Sequence, residues 1–123
     1  MAAGEQGGIE VIAVQPVTIG SYTCISIEVE LPKTRLVVVR APIGYIMCGA
    51  LDVHLLNTAL LDRAIIAGRA VGVRTTEQLL AAPLESVTVA AQELGIQVGM
   101  SGRDALLLMC DRLTISRPEH ADK

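Results

Sequence analysis

The chain has 123 residues and a formal net charge of −3; 51% of its residues are hydrophobic and only 19% are charged. This composition excludes an intrinsically disordered chain and indicates one domain of ordinary size. The negative charge, with only two Tyr and no Trp or Phe, argues against a nucleic-acid-binding protein, which uses basic surfaces and aromatic stacking.

Membrane insertion and secretion are not predicted. The longest uncharged stretch, from Val11 to Ile27, contains polar residues and a proline, whereas a membrane span needs about 20 mostly apolar residues. Residues 1–8 have neither the basic nor the apolar region of a signal peptide. An odd number of widely spaced cysteines suits a reducing cytoplasm, and without a CxxC pair no metal site is predicted. The cysteines are Cys24, Cys48 and Cys110.

The predicted fold class is α+β, with an N-terminal antiparallel sheet followed by helices and one further strand. A single domain is expected over residues 9–115, between disordered tails at residues 1–8 and 116–123. Residues 9–14 favour a strand, and Pro16 then predicts a sheet edge, a bulge or a strand end.

The next segments predict the rest of this sheet. Residues 22–31 alternate between apolar and polar side chains, which predicts one buried and one solvent-facing side. The expected buried side carries Ile25, Ile27, Val29 and Leu31. Residues 35–40 contain four consecutive aliphatic residues, which predicts a strand buried on both faces, and residues 45–48 predict another short strand.

The second half is predicted to be mostly helical. A helix is expected directly after Gly49, with Asp52 in its first turn, followed by a strand at residues 64–71. Two capping boxes, at residues 75–78 and 101–104, predict two further helix starts. A further helix is predicted between these two helix starts. It is expected to begin at Pro83 and to end at Gly95.

This arrangement predicts self-association through the N-terminal strands. The helices come late in the chain and can cover only one face of the sheet, while residues 36–39 favour burial of both. Each exposed Val, Leu or Ile forgoes roughly 1.5–3 kcal/mol. A second copy on the open face would recover this energy; alternatively, the chain ends fold back over that face.

Three segments resemble the YunC-like family of small bacterial and archaeal proteins: residues 44–53, 67–75 and 83–88. The resemblance covers about residues 15–110. It implies an N-terminal β region that forms tetramers, which would make the predicted oligomer a homotetramer. The family is classed as a domain of unknown function, so the resemblance specifies neither a biochemical activity nor a cofactor.

Cys48 and Asp52 are the candidate catalytic residues. A thiol between a strand and a helix N-terminus can have a pKa lowered into the range of about 3.5–7.5, which would make Cys48 a nucleophile. The alternative is a small buried side chain that closes the sheet. His54, the only histidine in the body of the chain, is expected at the surface rather than beside Cys48.

Arg69, Arg74 and Thr75 are the candidate ligand-binding residues. An arginine beside a helix N-terminus can bind a carboxylate or phosphate. The alternative for Arg69 is an ion pair with Asp52 that fixes the strand to the helix. Two hypotheses follow: a homo-oligomeric module that binds a small anionic ligand or a protein partner, and a small enzyme that uses Cys48.

Overall fold

A computed structural model describes the backbone of residues 11–121 and the side chains of residues 11–111. The predicted tail at residues 1–8 lies outside this part. The predicted tail at residues 116–123 overlaps the last helix, which continues to Ala121, and residues 122–123 lie outside the described part.

The strands form one sheet in which spatial order follows chain order. They are β1 (Ile12–Ile19), β2 (Tyr22–Leu31), β3 (Thr34–Arg40), β4 (Gly44–Met47), β5 (Ile66–Arg69) and β6 (Ser86–Val87). β1 to β4 pair antiparallel, β4 and β5 pair parallel, and β6 closes the other edge antiparallel. The α+β class and the N-terminal antiparallel sheet are confirmed. Pro16 lies within β1, an edge strand, where the missing N–H costs no ladder hydrogen bond.

The helices are α1 (Val53–Asn57), α2 (Thr76–Ala81), α3 (Val89–Leu94) and α4 (Gly102–Ala121), with a 3₁₀ turn at Leu61–Arg63. Two predicted helix starts are wrong. α1 begins at Val53 because the Asp52 carboxylate accepts the Leu55 N–H and so acts as its N-cap. Pro83 instead forms a β-bridge with Ser101, and α3 starts after Thr88, whose hydroxyl caps it. The caps at Thr75, Gly95 and Ser101 are as predicted.

The two faces of the sheet have different cover. We call inner the face that α2 and α4 cover; it carries Cys24, Ser26, Val37, Val39 and Ile46, all buried. The opposite, outer face carries Ile12, Val14, Ile25, Ile27, Val29, Leu31, Leu36 and Val38, all half-buried or exposed. α1 contacts β5 and covers only that end of the outer face, where Ala67 is buried.

This placement corrects the expectation for residues 22–31. The alternation is present, but the aliphatic side of β2 is the open one, and the side with Cys24 and Ser26 faces the core. The physical reason lies in the helices: α2 brings Thr76, a hydroxyl donor, to the polar side of β2, so Ser26 and Glu28 can be covered without losing their hydrogen bonds.

Candidate functional site

A wide groove lies at the carboxyl ends of the two parallel strands. β4 and β5 end side by side, and the carboxyl ends of parallel strands are where ligands commonly bind. The groove has a volume of about 680 Å³. Its polar lining comes from Asp52, His54, Asn57, Arg69, Glu85, Ser86 and Gln92.

Arg69 crosses this groove from the end of β5. Its Nε donates to the Gly49 carbonyl oxygen at 3.2 Å, and its Nη1 donates to Glu85 Oε1 at 3.2 Å. The ion-pair partner of Arg69 is Glu85, and not Asp52, the partner that the sequence suggested. Because both side chains of this pair are partly solvated, the pair is worth only about 0–1 kcal/mol.

The start of α1 adds one acidic group and one imidazole group to the groove, from Asp52 and His54. Asp52 lines the groove, but its carboxylate is engaged as the N-cap of that helix. His54 is exposed at the surface, as predicted, and it also lines the groove. Sequence reasoning missed Glu85, Asn57 and Gln92, since only folding brings these segments to one place.

Cys48 lies beside this groove but does not line it. Its side chain is only 4% exposed and belongs to the core cluster. Its Sγ donates to the Arg35 carbonyl oxygen at 3.9 Å, and α1 begins five residues later, at Val53. The helix N-terminus expected to activate the thiol is therefore not adjacent to it.

Arg74 and Thr75 lie at the start of α2, outside the lining of the groove. The Thr75 hydroxyl accepts the Gln78 N–H at 3.1 Å, and the Arg74 N–H donates to Gln78 Oε1 at 2.8 Å. The structure thus gives Thr75 a capping role and does not bring these two residues together with Arg69 in the groove.

A buried polar cluster on the inner face links β2 to α2. Glu28 Oε2 accepts the Thr76 hydroxyl at 2.7 Å and the Thr76 N–H at 2.9 Å. Because the Thr76 proton goes to the carboxylate, Ser26 donates its own to Thr76 Oγ1, at 2.5 Å. The bond from the Thr76 hydroxyl is the main reason why the pKa of Glu28 is lowered; the Thr76 N–H and Arg35 act in the same direction and burial opposes them.

Cys24 and Cys110 face each other across the core between β2 and α4. Their sulfur atoms are 3.8 Å apart, and both side chains are buried as free thiols. Burial, with the neighbouring Cys110, raises the pKa of Cys24 to about 12. Such a thiol is inert at neutral pH, so the pair fills space in the core.

Two kinds of feature are absent from the part of the chain that the structure describes. No three His, Cys, Asp or Glu side chains come together in a way that could bind a metal ion there. Within that same part, every helix is too short or too polar to span a bilayer.

Comparisons with known proteins give one consistent family. A family model described as "Domain of unknown function (DUF1805)" matches residues 47–109. The uncharacterized protein YunC of Bacillus subtilis (strain 168) is 62% identical over 94 residues, which cover 76% of this chain and 93% of that protein. The crystal structure of TA1206, a protein of unknown function from Thermoplasma acidophilum, superposes with a TM-score of 0.70 at 26% identity. This match covers 77% of this chain and 89% of the other.

Proposed function

The chain belongs to the DUF1805 family, together with YunC, and we propose from its surface that it is a self-associating binding module that holds a small anionic ligand. The resemblance of its sequence to YunC-like proteins implies that the oligomer is a tetramer. Three free cysteines support a cytoplasmic location, where thiols stay reduced.

The open outer face is the observation that carries the proposal. Ile12 and Val14 are 60% and 63% exposed in the single chain, next to the half-buried aliphatic side chains of β2 and β3. Contiguous apolar surface of this kind on a soluble chain marks an interaction site. A second copy offers the same aliphatic patch, so self-packing buries both patches without a charge at their centre. Arg40 lies on the same face, at the end of the patch beside Tyr45.

Sedimentation velocity tests this proposal on Val14→Glu. The side chain is exposed in the single chain, so a carboxylate there leaves the fold intact, but in an interface it would be buried without a partner. We expect the wild-type oligomer to dissociate to the 13.0 kDa chain in this variant. Val71→Glu is the matched control, because Val71 is 50% exposed and lies in the loop after β5. A wild-type monomer at micromolar concentration, or an unchanged oligomer in Val14→Glu, would contradict the proposal.

The groove around Arg69 supports the ligand-binding half of the proposal. Arg69 Nη2 makes no hydrogen bond to any described residue, and the exposed ion pair with Glu85 is weak enough for an anion to displace the carboxylate. His54 at the rim can add a second donor. The same groove is too polar for a purely apolar ligand.

Thermal unfolding with added phosphate or simple carboxylates tests this half. A ligand present at about 100 times its Kd stabilises the folded chain by about 2.7 kcal/mol, so the Tm should rise in the wild type and rise much less in Arg69→Gln. Arg74→Gln is the control, because Arg74 lies outside the groove. Loss of the response in Arg74→Gln alone would move the ligand to the start of α2.

The enzyme hypothesis makes a different demand on Cys48. A nucleophilic thiol must react rapidly with iodoacetamide in the native protein at pH 6–7, whereas a buried thiol reacts only after unfolding. Because Cys48 is buried beside the Arg35 carbonyl, we expect protection until the chain unfolds. Rapid modification of Cys48 alone, located by mass spectrometry of tryptic peptides, would favour the enzyme.

A further inference from the structure

A second groove lies at the opposite, amino ends of β4 and β5. It has a volume of about 300 Å³ and lies between the turn after β3 and the segment before β5. Its lining contains two arginines, Arg40 and Arg63, and the hydroxyl-bearing Tyr45. No acidic side chain is among the described residues that line it.

The charges of this groove have no partner within the described part of the chain. Arg40, Arg63 and Tyr45 form no side-chain hydrogen bond or ion pair with any described residue. Arg35 and Arg69, the other two arginines on the sheet, are each paired with a glutamate. The groove is therefore locally positive, with two arginines and no acidic side chain in its described lining, although the net charge of the chain is −3.

The remaining lining is apolar. Pro42, Ile43, Ile65 and Ile66 form the walls next to the two arginines. The groove therefore combines a charged end, which suits an oxyanion, with a surface that suits a hydrocarbon or aromatic body. β4 and β5 approach each other closely at the groove, because a Cβ on Gly44 would collide with the backbone of Ile66. Ala64, which precedes β5, has a positive φ of 53°.

We propose that this groove is an anion-binding site, separate from the groove around Arg69, for a small organic phosphate. Arg40 and Arg63 bind the phosphate oxygens, Tyr45 donates a further hydrogen bond, and the apolar walls contact the organic body. Phosphate is preferred to a single carboxylate because its higher charge and additional oxygens can use two guanidinium groups and a hydroxyl together.

Titration with phenyl phosphate, followed by ¹H–¹⁵N TROSY spectra, tests the site. We expect saturable shifts of the Ala41, Ile43 and Ala64 amides, with a Kd on the order of 1 mM. Inorganic phosphate should bind more weakly because it lacks the apolar body, and benzyl alcohol should produce no saturable shift. Each of Arg40→Gln and Arg63→Gln should weaken phenyl phosphate about tenfold, a loss of one charge-assisted contact.

Two controls separate this site from the proposed function. Arg103→Gln removes an exposed arginine at the start of α4 and should leave the shifts of Ala41, Ile43 and Ala64 unchanged. Arg69→Gln should affect only shifts that belong to the other groove. Shifts confined to Gly49, Arg69 and Ser86 would place phosphate in the other groove and overturn this inference while leaving the proposed function intact. If Arg40→Gln and Arg63→Gln weaken self-association but not phenyl phosphate binding, the arginines serve the contact between copies, and the anion site is wrong.

Discussion

The two faces of the sheet differ in what covers them, and the more aliphatic face is the one left open. The inner face mixes Val37, Val39 and Ile46 with cysteine, serine and glutamate, and two helices cover its central part. The outer face of β1 to β3 is more uniformly aliphatic and stays open in the single chain. The helices thus cover the face whose polar groups they can hydrogen-bond. The other face stays open and is available to another molecule.

The largest test of this comparison substitutes one isoleucine on each face. Ile46 is fully buried on the inner face, so Ile46→Ala should lower the free energy of unfolding by about 2–5 kcal/mol. Ile12→Ala on the outer face should change the stability of the dissociated chain by less than about 0.5 kcal/mol. Urea unfolding at low and high protein concentration measures both values.

Concentration dependence then separates the two faces. If the outer face is an interface, wild-type stability rises with protein concentration, and Ile12→Ala reduces that rise. Ile46→Ala should lower stability equally at all concentrations. Equal losses from both substitutions in a concentration-independent monomer would mean that the outer face is covered by the chain itself.

A substitution at Gly102 probes how tightly the inner face is closed. α4 begins at this residue, where a Cβ would collide with the Leu79 carbonyl oxygen of α2 and with Cδ1 of Ile46. Gly102→Ala should therefore cost about 1–3 kcal/mol by overpacking, although alanine is otherwise the better helix former. The control is Asp104→Ala, because Asp104 is exposed in the same turn. Gly99→Ala is unsuitable, because Gly99 has a positive φ that alanine would adopt only with strain. A neutral Gly102→Ala in thermal unfolding would mean that α4 is loosely packed.

The polar cluster between β2 and α2 makes the free energy of unfolding depend on pH. Because the folded-state pKa of Glu28 is lowered from about 4.5, its ionised form stabilises the fold at higher pH, and this contribution is lost as pH falls through the lower, folded value. Glu28→Gln should cost about 1–2 kcal/mol at pH 7 and flatten the loss of stability below pH 4.5. Glu30→Gln, whose side chain is exposed, should leave the acid limb unchanged. Parallel acid limbs in wild type and Glu28→Gln would contradict this account.

Much of the fold could be predicted from the sequence because it depends on local chemistry. The alternation in β2, the proline in the edge strand and the caps at Thr75 and Gly95 each act within a few residues. The assignment of faces could not be predicted in this way. Ser26 belongs inside only because Thr76, 50 residues later, supplies its partner.

The candidate site was less predictable for the same reason. An arginine on an aliphatic strand needs a charge partner, which suggested Asp52, but the groove pairs Arg69 with Glu85, from a segment that returns along the sheet edge as β6. That two-residue strand carries no periodic signal. Arg40 and Arg63 likewise gave no motif, since they lie 23 positions apart and meet only where β4 and β5 begin.

The smallest expected effect on stability concerns the groove beside α1. Glu85→Gln breaks an exposed ion pair with Arg69, so it should change the free energy of unfolding by less than about 1 kcal/mol. It also removes the carboxylate that competes with an incoming anion, so phosphate or a simple carboxylate should bind more tightly than in the wild type. Isothermal titration calorimetry measures this gain, and Glu77→Gln, an exposed glutamate on α2, is the control for net charge. Weaker binding in Glu85→Gln would mean that Glu85 positions Arg69 for the ligand instead of competing with it, and unchanged binding would place the anion away from Arg69.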